Sequence, residues 1–279
     1  MPDLGIGVGY RVPHYAQVVE HRPAMDWFEV LAENFMVNGG SPRFYLERLR
    51  EHYRVVPHGV SLSLGSDADP EHLQRLSALI QELRPPWFSD HLCMTGVSRR
   101  QIHDLLPLPY TPAVRDHVVA RIREIQDRTG TLFALENVSS YLGYTDSVMP
   151  EWAFYAEVVE AADCAMLLDV NNVYVSSINH GFDPKVYLDA VPADRVVQVH
   201  LAGHMERGAW RLDTHDRPVI DPVWALYRHL IRRTGPVSTL IEWDDNIPSF
   251  SRLQAEAELA RQHRDRALSG AEEATDVAG

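Results

Sequence analysis

Residues 196–204 read Val196-Val197-Gln198-Val199-His200-Leu201-Ala202-Gly203-His204, and Asp213-Thr214-His215 follows after a short interval. An apolar run of this length, bounded by glycine, reads as a buried strand. A histidine at its carboxyl end is placed to point into whatever lies above the sheet. The Asp-x-His beyond it adds a carboxylate and a second imidazole, the ligand types that hold zinc, iron or manganese. Alone the pattern is weak. It gains weight because an apolar strand ending in His, Asp or Glu recurs along almost the whole chain.

Outward from this stretch, strands are expected at 5–10, 27–31, 55–60, 87–92, 132–135, 165–168 and 238–241. Helical spacing lies between them, at 15–21, 42–53, 70–83, 112–128, 151–162, 184–190, 222–233 and 251–266. In the 70–83 segment Pro70 suits a first turn, and Leu73, Leu76, Leu79 and Ile80 form the buried stripe. Residues 95–110 make a longer polar excursion of the kind that serves as a functional loop. Eight strand-then-helix units in single file call for an α/β fold of the (β/α)8, or TIM, barrel type. One domain is expected over 1–266, since no linker composition divides the chain, with a polar and disordered tail over 267–279. A doubly wound sheet is the alternative fold, but it would spread the same residues along a crevice, and no Gly-x-Gly-x-x-Gly opens a helix.

Composition excludes some classes of function. The 279 residues are 45% hydrophobic, enough for a substantial core, and 39 acidic against 26 basic residues give a formal charge of -13. That charge repels polyanions, so nucleic acid is not an expected partner. Met1-Pro2-Asp3-Leu4-Gly5 lacks a basic segment followed by an apolar one, and nowhere do about 18 apolar residues run together. A soluble cytoplasmic protein with no membrane partner is the expectation. The two cysteines, Cys93 and Cys164, read as free thiols.

In a TIM barrel every strand opens onto the same face at its carboxyl end. His58, His91, Glu136, Asp169, His200 and Glu242 would then converge over one mouth, joined by Asp213 and His215 from a loop. Taken singly, each has a plainer reading, since strand histidines are often hydrogen-bonded core residues and strand-end acids often cap the next helix. Gathered together without counter-charge they would cost several kcal/mol each. Lys and Arg are scarce at the strand ends, so bound cations are the expected neutralisers. The ligand count exceeds what one ion uses, pointing to two or three ions with carboxylates such as Glu136 bridging. Asn172 is either a neutral ligand or a loop hydrogen-bonder. His180, in the Gly-containing loop Asn179-His180-Gly181, either closes over the site or stays solvated. Asp244 lies two residues beyond Glu242, on the same strand face, and is read as an unligated acid/base group.

Several ordered strings carry a resemblance: Gly5-Ile6-Gly7, His58-Gly59-Val60-Ser61-Leu62, Ser89-Asp90-His91-Leu92, Leu135-Glu136-Asn137, Leu168-Asp169-Val170-Asn171-Asn172-Val173-Tyr174, Gln198 to His204, Asp213-Thr214-His215 and Ile241-Glu242-Trp243-Asp244. Together they resemble the multinuclear non-haem iron-dependent oxidases, the family that includes the methanobactin biosynthesis oxidase, over roughly 4–261. The resemblance implies a xylose-isomerase-type barrel holding two or three mixed-valent irons, with dioxygen as co-substrate. It implies oxidation of residues, often cysteines, in a ribosomally made precursor peptide, and a separate partner protein that recruits that peptide. Carried over, the iron ligands are His58, His91, Glu136, Asp169, His200, Asp213, His215 and Glu242, with Asn172 and His180 less firmly placed and Asp244 as acid/base.

The same order of ligands also looks like the trinuclear zinc endonucleases acting at abasic DNA sites, in which metals activate water against a phosphodiester. Asn172 stands where those enzymes are expected to have His, and the negative charge is unfavourable for DNA. A sugar isomerase or epimerase would leave Asp213 and His215 without a role. A noncatalytic metal- or peptide-binding protein is the remaining alternative.

Overall fold

The structure is a computed structural model describing residues 1–67, 69–97 and 100–270, side chains of 97 and 100–103 excepted. The strands are β1 (Ile6–Gly9), β2 (Trp27–Leu31), β3 (Arg54–His58), β4 (Phe88–His91), β5 (Met94–Val97), β6 (Arg100–Leu106), β7 (Phe133–Glu136), β8 (Ala165–Asp169), β9 (Val196–Leu201), β10 (Met205–Arg207), β11 (Trp210–Leu212) and β12 (Ser238–Ile241). The helices are α1 (Tyr15–His21), α2 (Ser41–Arg50), α3 (Pro70–Leu83), α4 (Pro112–Thr129), α5 (Glu151–Ala162), α6 (Val170–His180), α7 (Pro184–Ala190), α8 (Asp221–Thr234) and α9 (Phe250–Leu268). Eight strands close into a barrel in the order β1-β12-β9-β8-β7-β4-β3-β2, and all their pairings are parallel. This is the TIM barrel expected from the spacing.

Local chemistry sets the helix ends. The Asp69 side chain accepts from the Glu71 and His72 amides, Pro70 fills the first turn, and α3 stops where Arg84 turns left-handed. Thr111, Pro112 and Gly130 play the same parts for α4. The helices bury their apolar stripes against the outside of the barrel, while Trp27, Val56, Trp87, Ala134, Leu167 and Leu240 fill a separate cluster inside it. Gly7 leaves the space the Trp27 indole needs, since a Cβ there would stand 2.5 Å from the ring.

The structure departs from expectation at four places. The excursion over 95–110 is largely an antiparallel hairpin of β5 and β6. A second hairpin, β10 and β11, stands between His204 and Asp213. Asn179 and His180 lie in the last turn of α6 rather than in a loop, because Asp169 caps that helix and Gly181 ends it in the left-handed region at φ 74°. The last helix runs to Leu268, past the expected end at Arg266. Of the expected tail, 271–279 lies outside the described residues.

Candidate metal centre

A strand's period of two builds the site. Inside the barrel Trp27, Val56, Ala134, Leu167 and Leu240 form the floor. Two residues further along each chain segment come Glu29, His58, Glu136, Asp169 and Glu242, all buried. His91 and His200 follow Ser89 and Gln198 in the same way. Register levels them: His91 pairs with Glu136, and Asp169 with His200. A cavity of about 450 Å³ opens above them, lined by His58, His91, Asn172, Asp213, His215, Glu242 and Asp244 among others.

The donor atoms fall into three overlapping groups, each with its atoms within 4.8 Å of one another. The first is His58, His91 and Glu136; the second Glu136, Asp169, His200 and Glu242; the third His215, Glu242 and Asp244. Glu136 and Glu242 each belong to two groups. Glu136 Oε2 stands 3.5 Å from His58 Nε2 and 3.3 Å from His91 Nε2, while its Oε1 stands 3.2 Å from His200 Nδ1. Glu242 Oε2 lies 3.0 Å from His200 Nδ1 and 3.2 Å from His215 Nδ1. Asp213 Oδ1 is 2.7 Å from His215 Nε2.

Neighbours orient these donors. His58 Nδ1 is 2.8 Å from Ser89 Oγ, which leaves Nε2 toward Glu136. Asp90 accepts from the amides of Ser61, Leu62 and His91 and so ties the loop after β3 to the end of β4. Asp169 Oδ1 accepts the Asn172 amide at 2.6 Å as the cap of α6. Asn171 Nδ2 donates to Asp213 Oδ1 at 2.8 Å. The His215 backbone is left-handed at φ 44°, uncommon outside glycine, and its carbonyl accepts from the Asp244 amide at 2.8 Å.

The donor set fits bound cations. Glu136 Oε2, Asp169 Oδ2, Asn172 Oδ1 and His200 Nδ1 are buried without a hydrogen-bond partner, a costly arrangement that ions would relieve. The electrostatics point the same way. Burial pushes the Asp169 carboxyl well above the usual carboxylate range, and Asp213 and Glu136 add to this against His215 and His200. Burial disfavours the charged form of His91, but Glu136, Asp90 and Glu242 outweigh it and bring its pKa to about 9. Protons are thus held where cations would sit. The set is nitrogen and oxygen only, with bridging carboxylates, and suits iron, manganese or zinc. Cys93 and Cys164 are buried free thiols outside these groups.

The structure brings together nearly every residue singled out from the sequence. His58, His91, Glu136, Asp169, His200, His215 and Glu242 stand in the three groups, and Asp213 touches one of their members. Asn172 is a hydrogen-bonder, with Nδ2 donating to the Asn137 carbonyl at 3.1 Å, and its Oδ1 is unpartnered beside the cavity, free for an ion. Asp244, read as unligated, has Oδ2 3.2 Å from His215 Nδ1 and stands in the third group. His180 is a correction: it is exposed at the end of α6, with Nε2 2.8 Å from Ser140 Oγ, and neither lines the cavity nor joins a group. Two residues went unread. Glu29 interrupts the apolar Trp27-Phe28-Glu29-Val30-Leu31, a signal the strand itself contained. Arg11 pairs with Asp244, its Nε donating at 3.0 Å, and nothing in its local sequence marks it.

Fold and site together define a xylose-isomerase-like TIM barrel with a candidate multinuclear metal centre at the carboxyl end of its strands. Known proteins agree on the fold: D-psicose 3-epimerase from Clostridium cellulolyticum H10 superposes with a TM-score of 0.63 at 13% identity, over 95% of this chain and 99% of that one. A xylose isomerase domain protein from Planctomyces limnophilus gives 0.63 at 14% identity, over 96% and 99%. Residues 5–265 match the model of the RiPP precursor modification enzymes MbnB/TglH/ChrH, and the chain belongs to that family. Among relatives, a UPF0276 protein of Anaeromyxobacter sp. (strain Fw109-5) is 50% identical over 269 residues, 95% of each chain. A UPF0276 protein of Caulobacter vibrioides (strain NA1000 / CB15N) is 49% identical over 264 residues, 93% of this chain and 94% of its own. The chain is thus an enzyme of ribosomal-peptide modification, and among the described residues no helix is long and apolar enough to cross a membrane.

Proposed function

We propose that the protein is an iron- and dioxygen-dependent oxidase that modifies a residue, most simply a cysteine, of a ribosomally made precursor peptide. The observation that carries this reading is the sharing of Glu136 and Glu242 between adjacent donor groups, an arrangement suited to two or three ions side by side. Iron held by imidazole and carboxylate is redox-active and open to dioxygen and to a substrate thiolate. His58, His91, Glu136, Asp169, His200, His215 and Glu242 would hold the ions, with Asp213 and Asn172 completing the set.

The rest of the cavity supplies binding and proton handling. Leu31, Val60 and Val138 line its apolar wall and exclude water from the reacting thiol, while Ser139, Tyr141 and Thr214 offer hydrogen bonds at the mouth to an extended peptide. Asp244 stays ionised: burial and Glu242 push its carboxyl up, but Arg11 and His215 together prevail and hold it below the ordinary range. Ionised, it is an acceptor for the proton that a substrate thiol or carbon releases, although its pairing with Arg11 and His215 weakens it as a base. A separate protein that recruits the peptide is part of this reading. Arg11 is already paired with Asp244 and Glu242 and so is poorly placed to bind a phosphodiester, which weighs against an endonuclease.

The test is oxygen consumption by anaerobically purified, iron-reconstituted protein with a cysteine-bearing precursor peptide encoded beside its gene. Iron at two to three ions per chain, with peptide-dependent oxygen uptake and a mass change lost on Cys→Ser substitution in the peptide, is the expected result. Iron-loaded protein that consumes no oxygen with that peptide and its recruiting protein overturns the proposal.

A further inference from the structure

Glu29 has no role in the ligand set, yet it is buried to 1% exposure on β2 with an oxygen against a proposed ligand. A carboxylate so placed costs several kcal/mol unless it is paired. Its Oε1 is buried without a hydrogen-bond partner, and the partners of its Oε2 form a chain across the barrel floor. Trp87 Nε1 can only donate, and it does so to Gln198 Oε1 at 2.7 Å. That fixes the Gln198 amide with its NH2 toward Glu29, donating to Oε2 at 2.6 Å. The same Oε2 stands 3.0 Å from His200 Nε2, and Gln198 Nε2 lies 2.8 Å from that nitrogen, so with the His200 hydrogen on Nε2 the two N–H groups share Oε2 as their acceptor. Trp87, Gln198 and His200 are fully buried, and Glu29 lies where the floor meets the cavity.

We infer that Glu29 is a positioning residue of the centre: it holds the hydrogen of His200 on Nε2 and so aims the Nδ1 lone pair at the ion shared with Glu136, Asp169 and Glu242. A carboxylate only accepts, and here it faces one of the two ring nitrogens. The other, Nδ1, makes no hydrogen bond and lies between Glu136 Oε1 at 3.2 Å and Glu242 Oε2 at 3.0 Å. Carboxylate–histidine pairs of this kind fix ligand orientation and make the imidazole a stronger donor. Trp87 and Gln198 hold Glu29 in turn, so a chain from the barrel floor sets the properties of the middle ion. The inference rests on the metal-centre reading and is independent of dioxygen or peptide chemistry.

Manganese(II) alone, titrated into the metal-free full-length chain with a competing chelator, tests it without substrate. Glu29→Gln keeps the shape and removes the charge. It is expected to weaken one class of site about 10- to 100-fold, with melting temperature and circular dichroism close to wild type. With iron bound, the midpoint potential of the variant should move positive, because a less basic His200 stabilises the ferric state less. The double variant Glu29→Gln/Gln198→Glu returns a carboxylate to within reach of Nε2 and should recover most of the affinity. Unchanged affinity and potential in folded Glu29→Gln, or equal loss in the double variant, overturns the assignment. If the wild type binds no metal, the metal-centre reading itself fails instead.

Discussion

Asp169 shows how one side chain serves fold and site at once. Its Oδ1 caps α6 through the Asn172 amide, and its Oδ2 is left unpartnered among Glu136, His200 and Glu242. Asn caps helices about as well as Asp, so Asp169→Asn should keep the cap and remove the charge that burial opposes. The folded pKa of Asp169 lies above its unfolded value. The stability it contributes is therefore full below about 3.8 and is lost as pH rises through the folded value. Metal-free Asp169→Asn should melt above metal-free wild type at neutral pH, by a margin that shrinks as pH falls toward 4. Added Mn(II) should reverse the order: at about 100 times Kd it stabilises wild type by about 2.7 kcal/mol and the variant far less. Thermal melts at pH 4.5 and 7.5, with and without metal, read both effects.

The connections after the strands carry the remaining donors, and their geometry is tight. A Cβ at Gly203, just past β9, would stand 2.2 Å from the Arg217 carbonyl, a backbone atom that cannot swing aside. Gly203→Ala should push apart the loop that presents Asp213 and His215, destabilising the protein by about 1–3 kcal/mol and lowering manganese stoichiometry by one ion per chain. Denaturant midpoints and elemental analysis test this. Wild-type stoichiometry in the variant would show that the loop is looser than its contacts require. Helix α5 starts with Glu151, which accepts hydrogen bonds from Tyr187 at 2.8 Å and Tyr110 at 3.1 Å. Burial raises its pKa from 4.5 to about 7, against the opposing effect of the two tyrosines. Wild type should lose stability between pH 4.5 and 7, where the unfolded chain gives up this proton and the folded chain keeps it, on the order of 2 kcal/mol. Glu151→Gln should lose less over that range, and paired melts at pH 5 and 8 measure the difference.

Across the whole molecule, the apolar cluster of Trp27, Val56, Trp87, Leu167 and Leu240 fills the barrel beneath the donors. Folding therefore does not wait on metal, unlike small domains whose only core is the ion. Removing metal with a chelator should lower the melting temperature by several degrees and leave the far-ultraviolet circular dichroism unchanged. Loss of helical signal on chelation would mean that the centre, not the floor, holds the barrel closed. The metal-free form should also lose stability as pH rises from about 6.5 toward 9, because the unfolded chain has lost the His91 proton that acidic neighbours hold to about 9 in the folded one. Bound metal should flatten that slope.

The sequence by itself determined the barrel and most of its donors. Strand and helix periodicity are local, and a strand ending in His58, Glu136 or Asp169 shows its polar residue without knowledge of its neighbours. It also held the signal for Glu29, a lone acid in an apolar strand, though not its purpose. Only the tertiary structure decided that Glu136 and Glu242 are each shared between two groups, that Arg11 meets Asp244, and that His180 turns away at the end of α6. Those outcomes depend on strand order and register around a closed cylinder. Closure sets Glu29 3.0 Å from His200 although 171 positions separate them in the chain, and no local pattern contains that distance.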